Sequence, residues 1–245
     1  QAGIYLASSA YDGTAGCTNT VVTNNTSNDG KEHGLLSIGG LNNSFTGNTC
    51  NNNWNTGIML FHPGEITVQN NSFDGNNTHA FHGVGNGGDS KGTIYAAGVV
   101  GDVAATFAFK ILDNDILNGS AGNQAVANGL NLTSSPPGVT IDGNTFSGMD
   151  IDVHVLDAAD TTVVNNNSLS AAVGVQNDDT DLLDATFNWW GDASGPSGEG
   201  PGTGSAVSVN VDYDPWWDNA AMMLPKFVHN VTQGTDYVTI QAGID

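Results

Sequence analysis

The chain has 245 residues and a formal net charge of −21, because 25 Asp and Glu stand against four basic residues. All four are lysines, and a chain this anionic repels phosphate backbones, which argues against nucleic-acid binding. No apolar run approaches the roughly 18 residues of a membrane span, and the many Asn, Gly, Thr and Val residues favour strands and turns.

An eight-residue pattern recurs seven times along the chain, at spacings of 23, 23, 43, 30, 23 and 21 residues. The third position is apolar in every copy, the eighth is mostly large and apolar, and polar residues lie between them. This alternation is typical of a strand with one buried face. The sixth position is always asparagine, and the seven residues are Asn25, Asn48, Asn71, Asn114, Asn144, Asn167 and Asn188.

The position before each of these asparagines is Asn, Gly or Asp in six copies, with Phe187 as the exception. These residue types tolerate a positive φ, so the chain is expected to turn there and to point the next Asn inward. Each inward amide can bond the same amide in the copies above and below, which satisfies buried polar groups. The sequence therefore predicts an all-β fold, a parallel β-helix with an Asn ladder and rungs of about 21–25 residues.

The alternative interpretation, an Asn-rich low-complexity segment, does not explain why the copies share apolar positions as well as Asn. The long spacings indicate insertions in the solenoid, the larger at about 74–106. Its apolar segment is either part of a loop or a further irregular rung. Because loops that leave a solenoid often carry contacts, a cleft in a carbohydrate-active protein is expected at this insertion.

The C-terminal part changes character, with Asn-Trp-Trp-Gly at 188–191, Gly-Pro at 195–196, a Val-rich strand and Pro-Trp-Trp at 215–217. This order resembles the right-handed parallel β-helix repeat proteins of bacterial and archaeal cell surfaces, and the resemblance covers most of the chain. It implies a right-handed solenoid and an extracellular or cell-surface location, but no single activity. The tryptophans are expected to cap the open end of the core, with a sugar-binding platform as the alternative: Trp189, Trp190, Trp216 and Trp217.

Three segments are predicted: β-helix rungs at 1–191, a Gly/Pro loop with a Trp-rich capping strand at 192–225, and an extension at 226–245. Residues 241–244 repeat the Gln-Ala-Gly-Ile of residues 1–4. The extension is therefore either the start of a next β-helix unit or a strand donated to the next subunit. In the second case Val238, Ile240 and Ile244 form the assembly strand, and the subunits polymerise head to tail.

The sequence predicts no catalytic residues. β-Helix lyases typically need a basic residue with bound calcium, and this chain has no arginine and only scattered lysines. Asp150 and Asp152 could act as a glycosidase pair, but two solvated acids beside inward Ile151 and Val153 are the simpler interpretation. A polysaccharide lyase or hydrolase remains the second possibility.

An acidic turn at 177–181 offers several oxygen ligands and is interpreted as a solvated loop or as a calcium site formed by Asp178, Asp179 and Asp181. Calcium between subunits would offset the repulsion of their negative charges. No other cofactor is indicated by the sequence.

Cys17 and Cys50 are an even pair and predict one disulfide, although Cys50 falls in the inward eighth column and can equally be a buried thiol. Asn-rich turns create many Asn-x-Ser/Thr sequons. Asn76 and Asn118, just outside predicted turns, are the preferred candidates for N-glycans.

These features together predict a non-catalytic extracellular structural protein, a subunit of a filament, sheath, surface layer or adhesin. Its expected partners are copies of itself, joined head to tail, and surface polysaccharide. A carbohydrate-binding or polysaccharide-degrading β-helix protein is the alternative, and the missing arginine favours the structural role.

Overall fold

A computed structural model describes residues 3–6, 17–61, 65–78, 92–97, 109–121, 126–133, 138–157, 162–223, 228–230 and 235–237. The strands are numbered in chain order and form three large sheets. Sheet 1 has the spatial order β1 (Ile4–Leu6), β3 (Leu35–Ile38), β6 (Ile58–Phe61), β9 (Ile94–Ala97), β12 (Asn128–Thr133), β15 (Ile151–Val155), β17 (Val173–Asn177), β20 (Gly204–Val207) and β19 (Pro196–Gly198).

The other two large sheets have fewer strands than sheet 1. Sheet 2 has the order β2 (Val21–Thr23), β4 (Asn43–Thr46), β7 (Ile66–Gln69), β10 (Phe109–Leu112), β13 (Val139–Asp142), β16 (Thr162–Asn165), β18 (Leu183–Asp184) and β21 (Val211–Asp212). Sheet 3 has the order β14 (Thr145–Ser147), β11 (Asp115–Leu117), β8 (Ser72–Asp74) and β5 (Thr49–Asn51). A separate antiparallel pair joins β22 (Val228–Asn230) and β23 (Thr235–Tyr237).

All strand pairs in the three large sheets are parallel, and all except β19–β20 join strands from adjacent turns of the chain. Phe45 pairs with Val68, for example, 23 residues further on. One rung therefore runs through sheet 2, a first corner, sheet 3, a second corner and sheet 1. The prediction of an all-β parallel β-helix is confirmed. No helix in the described part of the chain is long and apolar enough to cross a membrane.

Inward side chains form one continuous apolar core along the axis. The predicted third column is buried throughout, and the eighth is buried except for the half-buried Ser27. Because each rung covers the apolar face of its neighbour, burial is obtained by stacking rather than within one rung. The fully buried large residues of the two columns are Phe45, Val68, Ile111, Ile141, Val164, Phe73, Ile116, Phe146, Leu169 and Trp190.

The first corner turns as the sequence predicts. The residue before each ladder asparagine has a positive φ, from 52° at Asp113 to 71° at Gly143, and Phe187 adopts the same conformation at 56°. Glycine has a second role at this corner, since a Cβ on Gly47 would lie only 2.6 Å from Asn24 Oδ1. The structure adds a second column of positive φ five residues later, at Asp29, Asn52, Gly75, Asn118 and Gly148.

The large insertion does not contain a further rung, so that interpretation is wrong. Its strand β9 pairs with β6 on one side and β12 on the other, and it completes the rung that begins at β7. The longer spacing comes from the connections on either side of β9, at 79–91 and 98–108, which lie outside the described residues. Within 192–225, strands β20 and β21 continue sheets 1 and 2.

Candidate functional site

The seven repeat asparagines form one hydrogen-bonded column along the first corner. Each side-chain Nδ2 donates to the Oδ1 of the next asparagine at 2.9–3.1 Å. Each backbone N–H donates to the same Oδ1. From Asn48 onward the Nδ2 also binds a core carbonyl, as Asn71 does with Phe45 at 2.9 Å. These amides are fully used in holding rungs together.

The two ends of this ladder differ. At the C-terminal end, Asn188 turns its Nδ2 to the carbonyls of Val164 and Ala185. At the N-terminal end, Asn25 donates to Asn48, but no group in the described part of the chain donates to its Oδ1. The ladder is therefore closed at one end and presents an acceptor at the other.

A second, shorter ladder lies at the second corner and was not predicted. Asn53 donates its backbone N–H and its Nδ2 to Asn76 Oδ1 at 3.0 and 2.9 Å, and its own Oδ1 accepts the N–H of Gly30. Asn76 Nδ2 donates to the Cys50 carbonyl at 2.6 Å. The signal in the sequence was the 23-residue spacing of Asn53 and Asn76, five residues after Asn48 and Asn71.

The position of Asn76 in this ladder excludes it as a glycosylation site. Asn76 is completely buried and its Nδ2 is bonded inside the solenoid, so it cannot carry a glycan and that prediction is wrong. Asn118 is exposed, with Nδ2 donating to Asp74 Oδ1 at 2.9 Å. A glycan at Asn118 stays a prediction.

The four tryptophans lie around the C-terminal end of the described solenoid. Trp190 continues the eighth inward column and is fully buried, and Trp216 packs in the same core. Trp217 Nε1 donates to Asn166 Oδ1 at 3.2 Å, and its ring lies 6.0 Å from that of Phe187. Trp189 pairs with Ser168 beyond the end of sheet 3 and is half-buried.

The predicted disulfide is not formed, and the two cysteines lie in different parts of the rung. Cys17 precedes sheet 2, where its carbonyl accepts Asn43 Nδ2 at 2.8 Å. Cys50 lies in sheet 3 with its side chain fully buried, and burial raises the pKa of its thiol to about 12. Both are thiols, and the alternative interpretation, a buried thiol, describes Cys50.

The acidic turn does not converge on a metal ion. Asp178 accepts hydrogen bonds from His154 Nε2 and Gln176 Nε2 at 2.8 and 2.7 Å, and the His154 bond in particular lowers the pKa of its carboxyl. Asp179 Oδ1 instead accepts the backbone N–H groups of Thr180 and Asp181. The described residues hold no group of three or more His, Cys, Asp or Glu suited to a metal, which favours the solvated-loop interpretation of this turn.

The acids at the start of β15 are also placed differently from the expectation. Asp150 is exposed, but Asp152 is fully buried. The alternation of inward and outward side chains breaks at this point, since the consecutive residues Asp152 and Val153 are both buried and Ile151 is only half-buried. Asp152 Oδ2 accepts the N–H of Ser170 at 2.7 Å and that of Ala171 at 2.9 Å.

Burial raises the pKa of the Asp152 carboxyl to about 7 against the opposing effect of these two backbone bonds. Its Oδ1 is buried without a hydrogen bond in the part of the chain described. The group is a capping residue of the second corner, and it lies inside the solenoid rather than in a cleft.

A second buried titratable group lies near the N-terminal end. His33 is buried between rungs with its Nδ1 2.7 Å from Thr56 Oγ1. Desolvation lowers the pKa of this imidazole to about 4, although the neighbouring Glu32 carboxylate acts in the opposite direction.

An open polar cleft of about 260 Å³ lies outside the first corner, where it crosses three rungs. One wall follows the positive-φ column and the other follows the outward positions of sheet 3. The lining residues are Gly47, Asn48, Thr49, Asn70, Asn71, Ser72, Asp113 and Asp115.

The predicted assembly strand, with Val238, Ile240 and Ile244, lies outside the described residues. Residues 1–168 match a family model described as a right-handed beta helix region. Neither the curated proteins nor the solved structures give a match to the chain.

Proposed function

Because the chain belongs to the right-handed β-helix family, we propose that it is a non-catalytic, extracellular structural protein that joins head to tail with copies of itself. Such a subunit would build a filament, sheath, surface layer or adhesin. The two ends of the first-corner ladder differ, and this difference supports joining of one copy to the next at these ends.

The N-terminal end of the described solenoid is suited to receive a strand. Asn25 Oδ1 has no donor among the described residues, although the same atom in every later ladder residue accepts two N–H groups. Among the described residues, β1 and β2 are the edge strands of sheets 1 and 2 at this end. An exposed edge is a template for pairing with another chain, and a strand laid on this end would extend both sheets.

Exposed apolar side chains support contact at both ends. Tyr5 and Val21 are 53% and 66% exposed on β1 and β2, the first strands of sheets 1 and 2, and Leu182 and Val209 are 62% and 58% exposed near the last rung. Isolated apolar residues are ordinary on a surface, so it is their position at the two ends that favours association there. The repeated Gln-Ala-Gly-Ile at 241–244 favours the C-terminal extension of another copy as the incoming strand.

The titratable groups with strongly shifted pKa values are also consistent with a structural role. His33, Cys50 and Asp152 are the groups with the largest pKa shifts among the described residues, and each is buried inside the solenoid. Catalytic groups with shifted pKa values are normally found in a cleft that substrate can enter. Their burial here favours a role in the fold.

The proposal is tested by measuring assembly of the full chain by sedimentation and electron microscopy. Val21→Lys places a charge on the exposed first rung, and Val126→Lys makes the same change at an exposed position in a middle rung. We expect the Val21 variant to weaken association about tenfold or more, since one buried valine contributes about 1.5–3 kcal/mol. The Val126 variant should assemble like the wild type.

Deletion of residues 226–245 should leave a soluble monomer if the extension supplies the joining strand. Circular dichroism of each monomer separates failed assembly from failed folding. A wild-type protein that stays monomeric at all accessible concentrations, or a deletion variant that polymerises normally, contradicts the proposal.

A further inference from the structure

The polar cleft at the first corner holds hydrogen-bonding groups that the fold does not use. Thr49, Asn70, Ser72 and Asp115 line it, and none of their side chains makes a hydrogen bond or ion pair within the described part of the chain. On the floor of the same cleft, the side chains of Asn48 and Asn71 are fully bonded in the ladder. The cleft therefore presents free hydroxyl, amide and carboxylate groups on a rigid base.

These groups repeat with the rungs. Thr49, Ser72 and Asp115 are register partners in sheet 3, so their side chains follow one another along the axis at the strand spacing of about 4.8 Å. Asn70 and Asp113 form the opposite wall one rung apart. A ligand that fits this cleft is elongated, runs parallel to the axis and offers hydrogen-bonding groups at a similar repeat.

The charge of the cleft restricts the kind of ligand that it can bind. Two carboxylates, Asp113 and Asp115, lie at one end of the cleft, and the chain carries a net charge of −21, so an anionic ligand is repelled. A bare metal ion is disfavoured, because hard cations take six to eight oxygen ligands and no group of three suitable acidic or imidazole side chains exists among the described residues.

We infer that this cleft binds a linear glycan that is uncharged or carries amino groups. Thr49, Ser72 and Asn70 bind its hydroxyls, and Asp115 binds hydroxyl or ammonium groups at the end of the cleft that also holds Asp113. Such contact would attach the solenoid along its side and leave both ends available for self-association. The inference does not depend on the proposed assembly, and it can fail while the assembly is confirmed.

The test is titration calorimetry of the full chain with short chitosan, cellulose and alginate oligosaccharides. Wild type should bind the chitosan oligosaccharide, the cellulose oligosaccharide more weakly, and the anionic alginate oligosaccharide not at all. Asp115→Lys should weaken chitosan binding about tenfold or more, since hydrogen bonds to charged groups are the stronger class.

Asp212→Lys makes the same charge reversal on exposed β21, outside the cleft, and should bind like the wild type. Two substitutions that leave the charge unchanged serve as a further control. Ser72→Ala should weaken the binding of both the chitosan and the cellulose oligosaccharide. Thr145→Ala, in the same outward column but outside the cleft, should weaken neither. Failure of wild type to bind chitosan and cellulose, binding of alginate alone, or equal losses in the Asp115 and Asp212 variants would overturn the inference.

Discussion

The second corner is built in two different ways along the same solenoid. In the N-terminal rungs, Asn53 and Asn76 stack on each other and bind the neighbouring backbone. In the later rungs a carboxyl has this role. Asp152 accepts hydrogen bonds from the N–H groups of Ser170 and Ala171 in the next rung.

The two regions of the second corner differ in the polar group that satisfies the backbone. A side-chain amide carries donors and acceptors without charge, so it satisfies both neighbouring rungs at any pH. A buried carboxyl satisfies N–H groups on one side only, and its burial raises the pKa, so its state changes with pH. The N-terminal corner is therefore expected to depend on amide stacking, and the later corner on proton binding.

The largest loss of stability is expected when an amide is removed from the N-terminal corner. Asn76→Ala leaves the buried Asn53 N–H without its acceptor and removes the side-chain bonds to Asn53 Nδ2 and to the Cys50 carbonyl, which is expected to lower the free energy of unfolding by about 3 kcal/mol. Chemical denaturation followed by circular dichroism measures the change. Asn70→Gly is the control, because Asn70 is exposed, has a positive φ and makes no side-chain bond. A loss equal to that of Asn70→Gly would show that the stacked amides do not stabilise the corner.

The first-corner ladder could be predicted from the sequence because its asparagine recurs in all seven copies with the same apolar neighbours. The second ladder could not, because only Asn53 and Asn76 occupy its column and the equivalent residues elsewhere are Gly30, Gly119 and Met149. A column that changes residue type from rung to rung leaves no repeat to detect. Its corner was visible only in the backbone, as positive φ.

The burial of Asp152 was missed for a different reason. Period-2 alternation assigns Ile151 and Val153 to the same face, but β15 buries consecutive residues Asp152 and Val153. Sequence spacing also does not show where a carboxylate points, so the acidic turn at 177–181 looked like a metal site. The orientation depends on partners such as His154, which comes from the preceding rung.

The later corner is tested through its pH dependence. The unfolded Asp152 carboxyl ionises from its ordinary value of 3.8, whereas the folded one keeps its proton to about 7. The folded state binds more protons in this window, so stability falls as pH rises from about 4 to about 7, by on the order of 3 kcal/mol, and is constant above it. In Asp152→Asn this contribution is absent. The difference between wild type and variant, measured by denaturation at a series of pH values, should therefore slope downward with pH.

The slope is the informative quantity, because an amide at this position does not titrate and therefore changes stability by the same amount at every pH. Asp150→Asn provides the matched control, as Asp150 is an exposed acid on the same turn. Parallel curves for wild type and Asp152→Asn would contradict the proton-dependent corner.

His33 gives the N-terminal region a pH dependence of the opposite sign. Its imidazole ionises at about 4 in the folded chain and at 6.5 when unfolded, so the unfolded state binds the proton first as pH falls. Stability is therefore lost between pH 6.5 and 4, by on the order of 2 kcal/mol, and His33→Gln should remove that loss. Thr56→Val deletes the hydrogen-bond partner but leaves the ring buried, so it should keep the wild-type slope if burial is the main cause. A flat curve in Thr56→Val would assign the shift to the hydrogen bond. Since the His33 and Asp152 slopes oppose each other between about pH 4 and 6.5, each is expected to appear fully only when the other group is replaced.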